Sequence, residues 1–194
     1  MNIPELLAVI FGIASVWYAR KENILVFPMG IISVLIFIYI FFTGRMFANA
    51  GINVIYFFTN VYGWYNWSRK KNEEHAVKIT RNTSTQNILI IVFALVFYAA
   101  VLVLLRWYNR ADAEYLHSSR PWMDAMNSSL FLCATILMTV KKLENWHFWI
   151  AGNVVSIPIF LIQGFYLTSF QYAVFLVLAI SGLSEWRKKA IKNE

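Results

Sequence analysis

Three observations predict an all-α integral membrane protein with seven transmembrane helices. Apolar residues make up 59% of the 194-residue chain and charged residues only 14%, whereas a soluble domain carries about a quarter charged. Uncharged stretches run for about 20 residues, the length that crosses a hydrocarbon core of ~30 Å. Those stretches are solidly apolar, unlike the alternating ~10-residue strands of a transmembrane barrel. Mean hydropathy is +0.55, and so little chain lies outside the apolar runs that a soluble catalytic domain is excluded.

The helices read in order as roughly 2–19, 24–42, 46–67, 85–106, 122–140, 145–164 and 168–187. The first opens on Pro4 and Glu5 and is followed by Arg20 and Lys21. That charge order is the reverse of a secretory signal, so the helix is expected to be retained. The second and fourth are unbroken apolar runs, the third mixes amides with aromatics, and the sixth contains Pro158. Residues 1–67 form a first three-helix bundle and 122–187 a second. Between them, 68–121 holds a linker helix at about 85–106, and 188–194 is a basic tail. The lone cysteine, Cys133, excludes an intrachain disulfide.

Charge sets the expected orientation. Arg20, Lys21, Arg69, Lys70, Lys71, Lys78, Arg81, Lys141, Lys142, Arg187, Lys188, Lys189 and Lys192 fall on one side; Arg45, Arg106, Arg110 and Arg120 fall on the other. The positive-inside rule then puts the N-terminus outside and the C-terminus in the cytoplasm. These basic runs read as topology signals touching anionic lipid, not as a nucleic-acid site.

An internal repeat is visible. Glu22-Asn23 with Gly30 reappears as Glu144-Asn145 with Gly152, an offset of 122; Gly63 and Trp67 reappear as Gly182 and Trp186, an offset of 119. A shorter loop in the second copy accounts for the difference. With the fourth helix between them, the copies run parallel in a three-plus-one-plus-three plan, a recognised transporter architecture.

Polar residues inside membrane helices need a reason. On the third helix Asn53, Tyr56, Asn60, Trp64 and Trp67 fall within an arc of about 80°. On the sixth, Trp146, Trp149, Asn153, Ser156, Phe160 and Gln163 fall within about 100°. Aromatic belts at the headgroup level account for Trp67, Trp186, Tyr62 and Tyr65, but they do not account for amides in hydrocarbon. Two such faces form a pocket for an asymmetric ligand, with indoles to stack on and amides to read hydroxyls or ring nitrogens. At the offsets above, Trp146, Trp149 and Asn153 correspond to Ile24, Phe27 and Ile31, so the polarity is not duplicated. Asp124, Asn127 and Ser128 line an outer mouth or simply begin a helix. Acidic residues stay at helix ends, so an ion relay is not indicated. No histidines sit at metal-ligand spacing, and no nucleophile or phosphate motif is present, so neither metal, cofactor nor enzyme is expected.

The stretch Trp146-His-Phe-Trp149-Ile-Ala-Gly-Asn153 matches the WxxWxxxN pattern of the PnuC family of bacterial vitamin transporters. NVIYFFTNVYGWYNW, Asn53 to Trp67, resembles that family's NxxYxxxNxYGWYxW region. The resemblance covers nearly the whole chain and implies a homotrimeric, channel-like facilitator of the bacterial inner membrane, with a fold similar to the SWEET sugar transporters. It implies uptake of nicotinamide riboside by facilitated diffusion, with trapping by intracellular phosphorylation. Thiamine, another flat cation with a hydroxyl, is the close alternative; riboflavin, larger and neutral, is a weaker one. A sugar transporter or a non-transporting membrane scaffold are the competing readings. The site residues implied are Trp146, Trp149, Asn153, Gln163, Asn53, Tyr56, Asn60, Trp64 and Asn127. The additional N-terminal helix of some members has no counterpart in this reading.

The charge split predicts that a reporter fused after Glu194 behaves as cytoplasmic, while a cysteine placed at Ala113 is labelled by an impermeant reagent from outside. Protection of position 113 in intact cells would overturn the helix count.

Overall fold

A chain this apolar satisfies its backbone by closing hydrogen bonds within helices, the only alternative in lipid being a closed barrel. The computed structural model describes residues 3–69, 78–162, 164 and 166–193, with eight helices among them. These are α1 Ile3–Arg20, α2 Val26–Thr43, α3 Phe47–Ser68, α4 Ser84–Tyr108, α5 Ala113–His117, α6 Arg120–Thr139, α7 Asn145–Ile162 and α8 Tyr166–Asn193. The long helices start and stop within a few residues of the expected bounds, except that α8 continues to Asn193 through the segment read as a tail. The short α5, capped by Asp112 through the Tyr115 N–H, lies in the segment read as a polar loop. Five helices are long and apolar enough to cross a membrane: α1, α2, α4, α7 and most of α8. The other long ones, α3 and α6, are diluted by amides and hydroxyls such as Asn53, Asn60, Asn127 and Ser128.

Six long helices pack in a closed circuit, α1 on α2, α2 on α3, α3 on α6, α6 on α7, α7 on α8 and α8 back on α1. Outside that circuit α4 leans on α6 and only lightly on α3, and α5 rests on α6. Thr83 and Gln86 form a capping box that starts α4. Just before it, Thr80 pairs in parallel with Lys142, and the Asn82 N–H donates to Glu144 Oε2 at 2.9 Å. The segment leading into α4 is thereby fastened to the α6–α7 turn, with Ile79 buried beneath it.

The turns correct the repeat register. Glu22 and Lys141 adopt left-handed φ values of 57° and 52°, which non-glycine residues seldom do. The Glu22 N–H donates to Ala19 O and the Asn23 N–H to Tyr18 O. In the same pattern Lys141 donates to Met138 O and Lys142 to Leu137 O. Each is a Schellman closure, and they lie 119 residues apart. Arg45 (φ 58°) and Gly164 (φ 80°) repeat the same spacing at the other end of the helices. The offset is therefore 119 throughout, and the Glu-Asn match at 122 is not structural. Asn23 Oδ1 accepts from the Leu25 N–H within its own turn, whereas Glu144 reaches out to Asn82. In the corrected register Trp146 aligns with Phe27, Trp149 with Gly30 and Asn153 with Val34.

The largest buried cluster occupies the basic end. Gly63 and Gly182 each leave out a side chain, and the ring of a neighbouring helix fills the gap. A Cβ at Gly63 would stand 2.2 Å from the Phe27 ring, and one at Gly182 would stand 2.5 Å from Trp146. One turn on, Trp67 meets Phe27 edge-on at 5.0 Å and Trp186 meets Trp146 edge-on at 5.5 Å. The two tryptophans then approach each other at 6.1 Å. Their indoles cross between halves: Trp67 Nε1 donates to Thr139 O at 3.1 Å and Trp186 Nε1 to Ala19 O at 3.0 Å. The headgroup-belt reading of this pair is corrected, since Trp67 is 6% exposed and Trp186 is 0% exposed. Tyr62 and Tyr65 do remain exposed.

Beside the indoles, Lys141 Nζ contacts Glu22 Oε1 at 2.7 Å, and Lys189 Nζ contacts Glu22 Oε2 at 2.8 Å. Burial opposes the Glu22 charge, but the hydrogen bonds and charges of both lysines outweigh it and hold the carboxyl below its ordinary pKa. Its contribution is present at neutral pH and is lost as acidification passes the lowered pKa.

A methyl group at position 182 has no room beside the fully enclosed Trp146 ring. Gly182→Ala is expected to cost about 1–3 kcal/mol, the usual range for overpacking. Gly51→Ala, where a Cβ meets nothing within 4 Å, is expected to leave stability unchanged. Thermal unfolding of the detergent-solubilised variants compares the two.

Candidate functional site

One stripe of α6 carries the exposed Asp124 and the half-buried Asn127, Ser128 and Phe131, spaced three and four apart so that they share a face. Opposite it, α7 presents Trp149, Gly152, Asn153, Ser156 and Phe160. Gly152 is required at its position, because a Cβ there would stand 2.2 Å from the Phe131 ring. Phe131 packs 5.4 Å from Trp149 and lies nearly parallel to Tyr172 of α8 at 6.0 Å. Tyr172 in turn stacks on Phe160 at 5.2 Å, with only 5° between the planes. Four rings from three helices thus form one continuous aromatic wall.

Amides and hydroxyls border this wall. Asn127 Nδ2 donates to Ser156 Oγ at 3.0 Å, and Ser156 Oγ donates to Gly152 O at 2.8 Å. The Asn127 and Asn153 Oδ1 atoms are both buried without a hydrogen-bond partner among the described residues. Asn153 is 1% exposed. A buried acceptor left open costs ~1–3 kcal/mol, and two of them stand beside this wall. From α3, the Tyr56 hydroxyl donates to Ser128 O at 3.3 Å and joins the same site.

The other expected residues are placed differently. Trp146 is fully enclosed in the basic-end cluster, packed over Gly182, and presents no surface to the wall. Asn60 is buried between α3 and α2: its Nδ2 donates to Tyr56 O, and its Oδ1 stands where a Cβ on Gly30 would clash. Asn53 Nδ2 turns back to Asn49 O on its own helix. Trp64 is 43% exposed. Gln163 lies outside the described residues. Trp149, Asn153, Asn127 and Tyr56 therefore gather at one site, and the rest of the α3 face does not. Phe131 and Tyr172 were missed. The signals for them were the position of Phe131 four residues beyond Asn127, and the alignment of Tyr172 with Asn53 at an offset of 119.

Among the described residues no group of three His, Cys, Asp or Glu is placed to hold a metal ion. An open furrow of about 430 Å³ runs between α3 and α4, lined by Phe47, Gly51, Ile52, Phe97 and Val101. It lies outside the helix circuit and contains none of the polar residues above.

The sequence model of the family described as "Nicotinamide mononucleotide transporter" matches residues 2–188. The nicotinamide riboside transporter PnuC of Escherichia coli (strain K12) is 29% identical, over 96% of this chain and 85% of its own. The riboflavin/roseoflavin transporter RibM of Streptomyces davaonensis is 23% identical, over 91% of this chain and 81% of its own. The crystal structure of the vitamin B3 transporter PnuC superposes with a TM-score of 0.74, covering 98% of this chain and 83% of that one at 22% identity.

Proposed function

The chain belongs to the nicotinamide mononucleotide transporter family, and from that premise we propose that it takes up nicotinamide riboside across the bacterial inner membrane by facilitated diffusion. The observation that carries this reading is the aromatic wall of Trp149, Phe131, Tyr172 and Phe160 beside the open amide oxygens of Asn127 and Asn153. A pyridinium ring stacks on such faces, and on indole most strongly, gaining ~0.5–2 kcal/mol from the quadrupole. Ribose hydroxyls or the carboxamide N–H₂ supply the donors that the open oxygens lack. From Asp124 to Phe131 on α6 and from Trp149 to Phe160 on α7 the one charge is Asp124, with Arg120 a turn outside it at the start of α6. That composition favours the riboside over the phosphorylated mononucleotide, whose anion would be desolvated without a counter-charge. Thiamine fits the same chemistry and is the second reading.

In the same proposal seven long helices span the bilayer in a three-plus-one-plus-three, SWEET-like plan, N-terminus outside and C-terminus cytoplasmic, assembled as a homotrimer. The recurrence of turn geometry at one offset supports parallel repeats, with α4 as the odd crossing that makes them parallel. Trp149, Asn153, Asn127 and Tyr56 contact the substrate. Trp146 and Asn60 position their helices. Trapping by intracellular phosphorylation then makes uptake unidirectional.

Removing the Trp149 indole is expected to cost about 1–3 kcal/mol, by analogy with base–aromatic stacking. Trp149→Leu should therefore lose more affinity than Trp149→Phe, and Asn153→Leu should lose a comparable amount. Titration of purified variants with nicotinamide riboside and with thiamine, followed by calorimetry, measures both. Folded variants that bind as the wild type does would place the pocket elsewhere.

Reconstituted vesicles are expected to equilibrate nicotinamide riboside without concentrating it. Radiolabelled uptake under an imposed proton or sodium gradient checks this; uphill accumulation would reveal a coupling site and refute facilitated diffusion, while no saturable flux of any vitamin would favour a scaffold.

A further inference from the structure

One carboxylate on the α6 stripe has no role in the site so far. Asp124 lies one turn from Asn127, at the end of the helix circuit opposite the basic cluster. Its Oδ2 accepts from the Tyr115 hydroxyl at 3.0 Å, the link that ties α5 to α6. Its other oxygen accepts no hydrogen bond from the described residues, and the Arg120 charge, one turn back on α6, also acts on the carboxylate. Burial, with the Asp124 charge beside it, pushes the Tyr115 hydroxyl well above the ordinary phenol range, so it remains the donor. Asp112 and Glu114, exposed like Asp124, are also at this end, but they stand beside and on α5 and not on the α6 stripe. From Asp124 the stripe descends through Asn127 to Phe131, so a ligand reaching the aromatic wall along α6 passes the carboxylate first.

We propose that Asp124 is a specificity-determining residue that selects the cationic form of the ligand at the mouth, with Tyr115 as the internal partner that a ligand cation displaces. This rests on the reading of the site as one for nicotinamide riboside. A pyridinium approaching Asp124 gains an attraction that a neutral molecule of the same outline does not. In the free protein, the Tyr115 hydroxyl occupies one carboxylate oxygen and keeps α5 folded against α6. When the cation arrives the hydroxyl loses that hold, which couples ligand charge to the position of α5.

Nicotinamide riboside and its neutral 1,4-dihydro form differ in that charge while keeping the ribose and carboxamide. Concentration-dependent uptake of each into vesicles holding the full chain separates the terms. Asp124→Asn is expected to raise KM for the cation about tenfold, at the low end of electrostatic focusing, while leaving KM for the dihydro form unchanged. Asp124→Glu should restore the difference. Tyr115→Phe, which frees the carboxylate, should lower KM for the cation alone. Equal loss for both forms in Asp124→Asn, or no change for either, overturns the proposal. If the Asn variant does not fold, an unchanged ratio of the two KM values in Tyr115→Phe overturns it. A wild-type protein that moves neither form defeats the transport reading itself, and this proposal with it.

Discussion

Two indole N–H groups join the halves of this protein. Trp67 reaches the last turn of α6, Trp186 reaches the last turn of α1, and each carbonyl they use is one that a helix end leaves without an intrahelical donor. Each carbonyl accepts a second bond as well, Ala19 O from the Glu22 N–H and Thr139 O from Asn66 Nδ2, so turn, amide and indole converge on the same helix end. Everything nearby conforms to this arrangement. Gly63 and Gly182 must be small so that Phe27 and Trp146 can lie beneath the tryptophans, and Lys141 can lie 4.5 Å above the Trp67 ring while pairing with Glu22. The helix circuit is consequently tight at its basic end, and the open amides lie farther along, where hydroxyls and amides replace large apolar rings.

The contrast between α3 and α7 shows what sequence periodicity conveys. Helix positions were legible because apolar runs are local properties, and so was the shared Gly–Trp spacing of Gly63-Trp67 and Gly182-Trp186. Which side of a polar stripe meets which neighbour is not local. Asn53, Asn60 and Trp64 share an arc of α3 with Tyr56 and Trp67, yet only those last two reach α6, because the remainder of that arc is divided between α2, its own helix and open surface. Trp146 and Trp149 are neighbours in one motif, but a three-residue step turns the first into the basic-end cluster and the second toward Phe131. The register error had a similar origin, since identical Glu-Asn pairs suggested an equivalence that the Schellman turns place three residues away. Phe131 and Tyr172 were not legible as parts of the aromatic wall because an aromatic residue in an apolar helix looks the same whether it faces lipid or another ring.

Glycine and aromatic residues divide the labour along α7. Gly152 lets Phe131 come within contact of the backbone, so the ring lies flat between Trp149 and Tyr172. Packing fixes the rings of the wall, so little side-chain freedom remains in it. The amides beside it are held by their neighbours in the same way, Asn127 through Ser156 and Ser156 through the Gly152 carbonyl.

Glu22 and Lys141 occupy equivalent places in the two halves and touch one another. In an assembly of two identical three-helix units, a residue on such a self-facing position meets its own copy, and glutamate would meet glutamate. Joining the units in one chain removes that constraint, since each copy of the position is free to take the opposite sign. The ion pair sets opposite charges at two turns of the same geometry, one after α1 and one after α6. It fixes one half as the acidic partner and the other as the basic one, so that the halves cannot exchange roles.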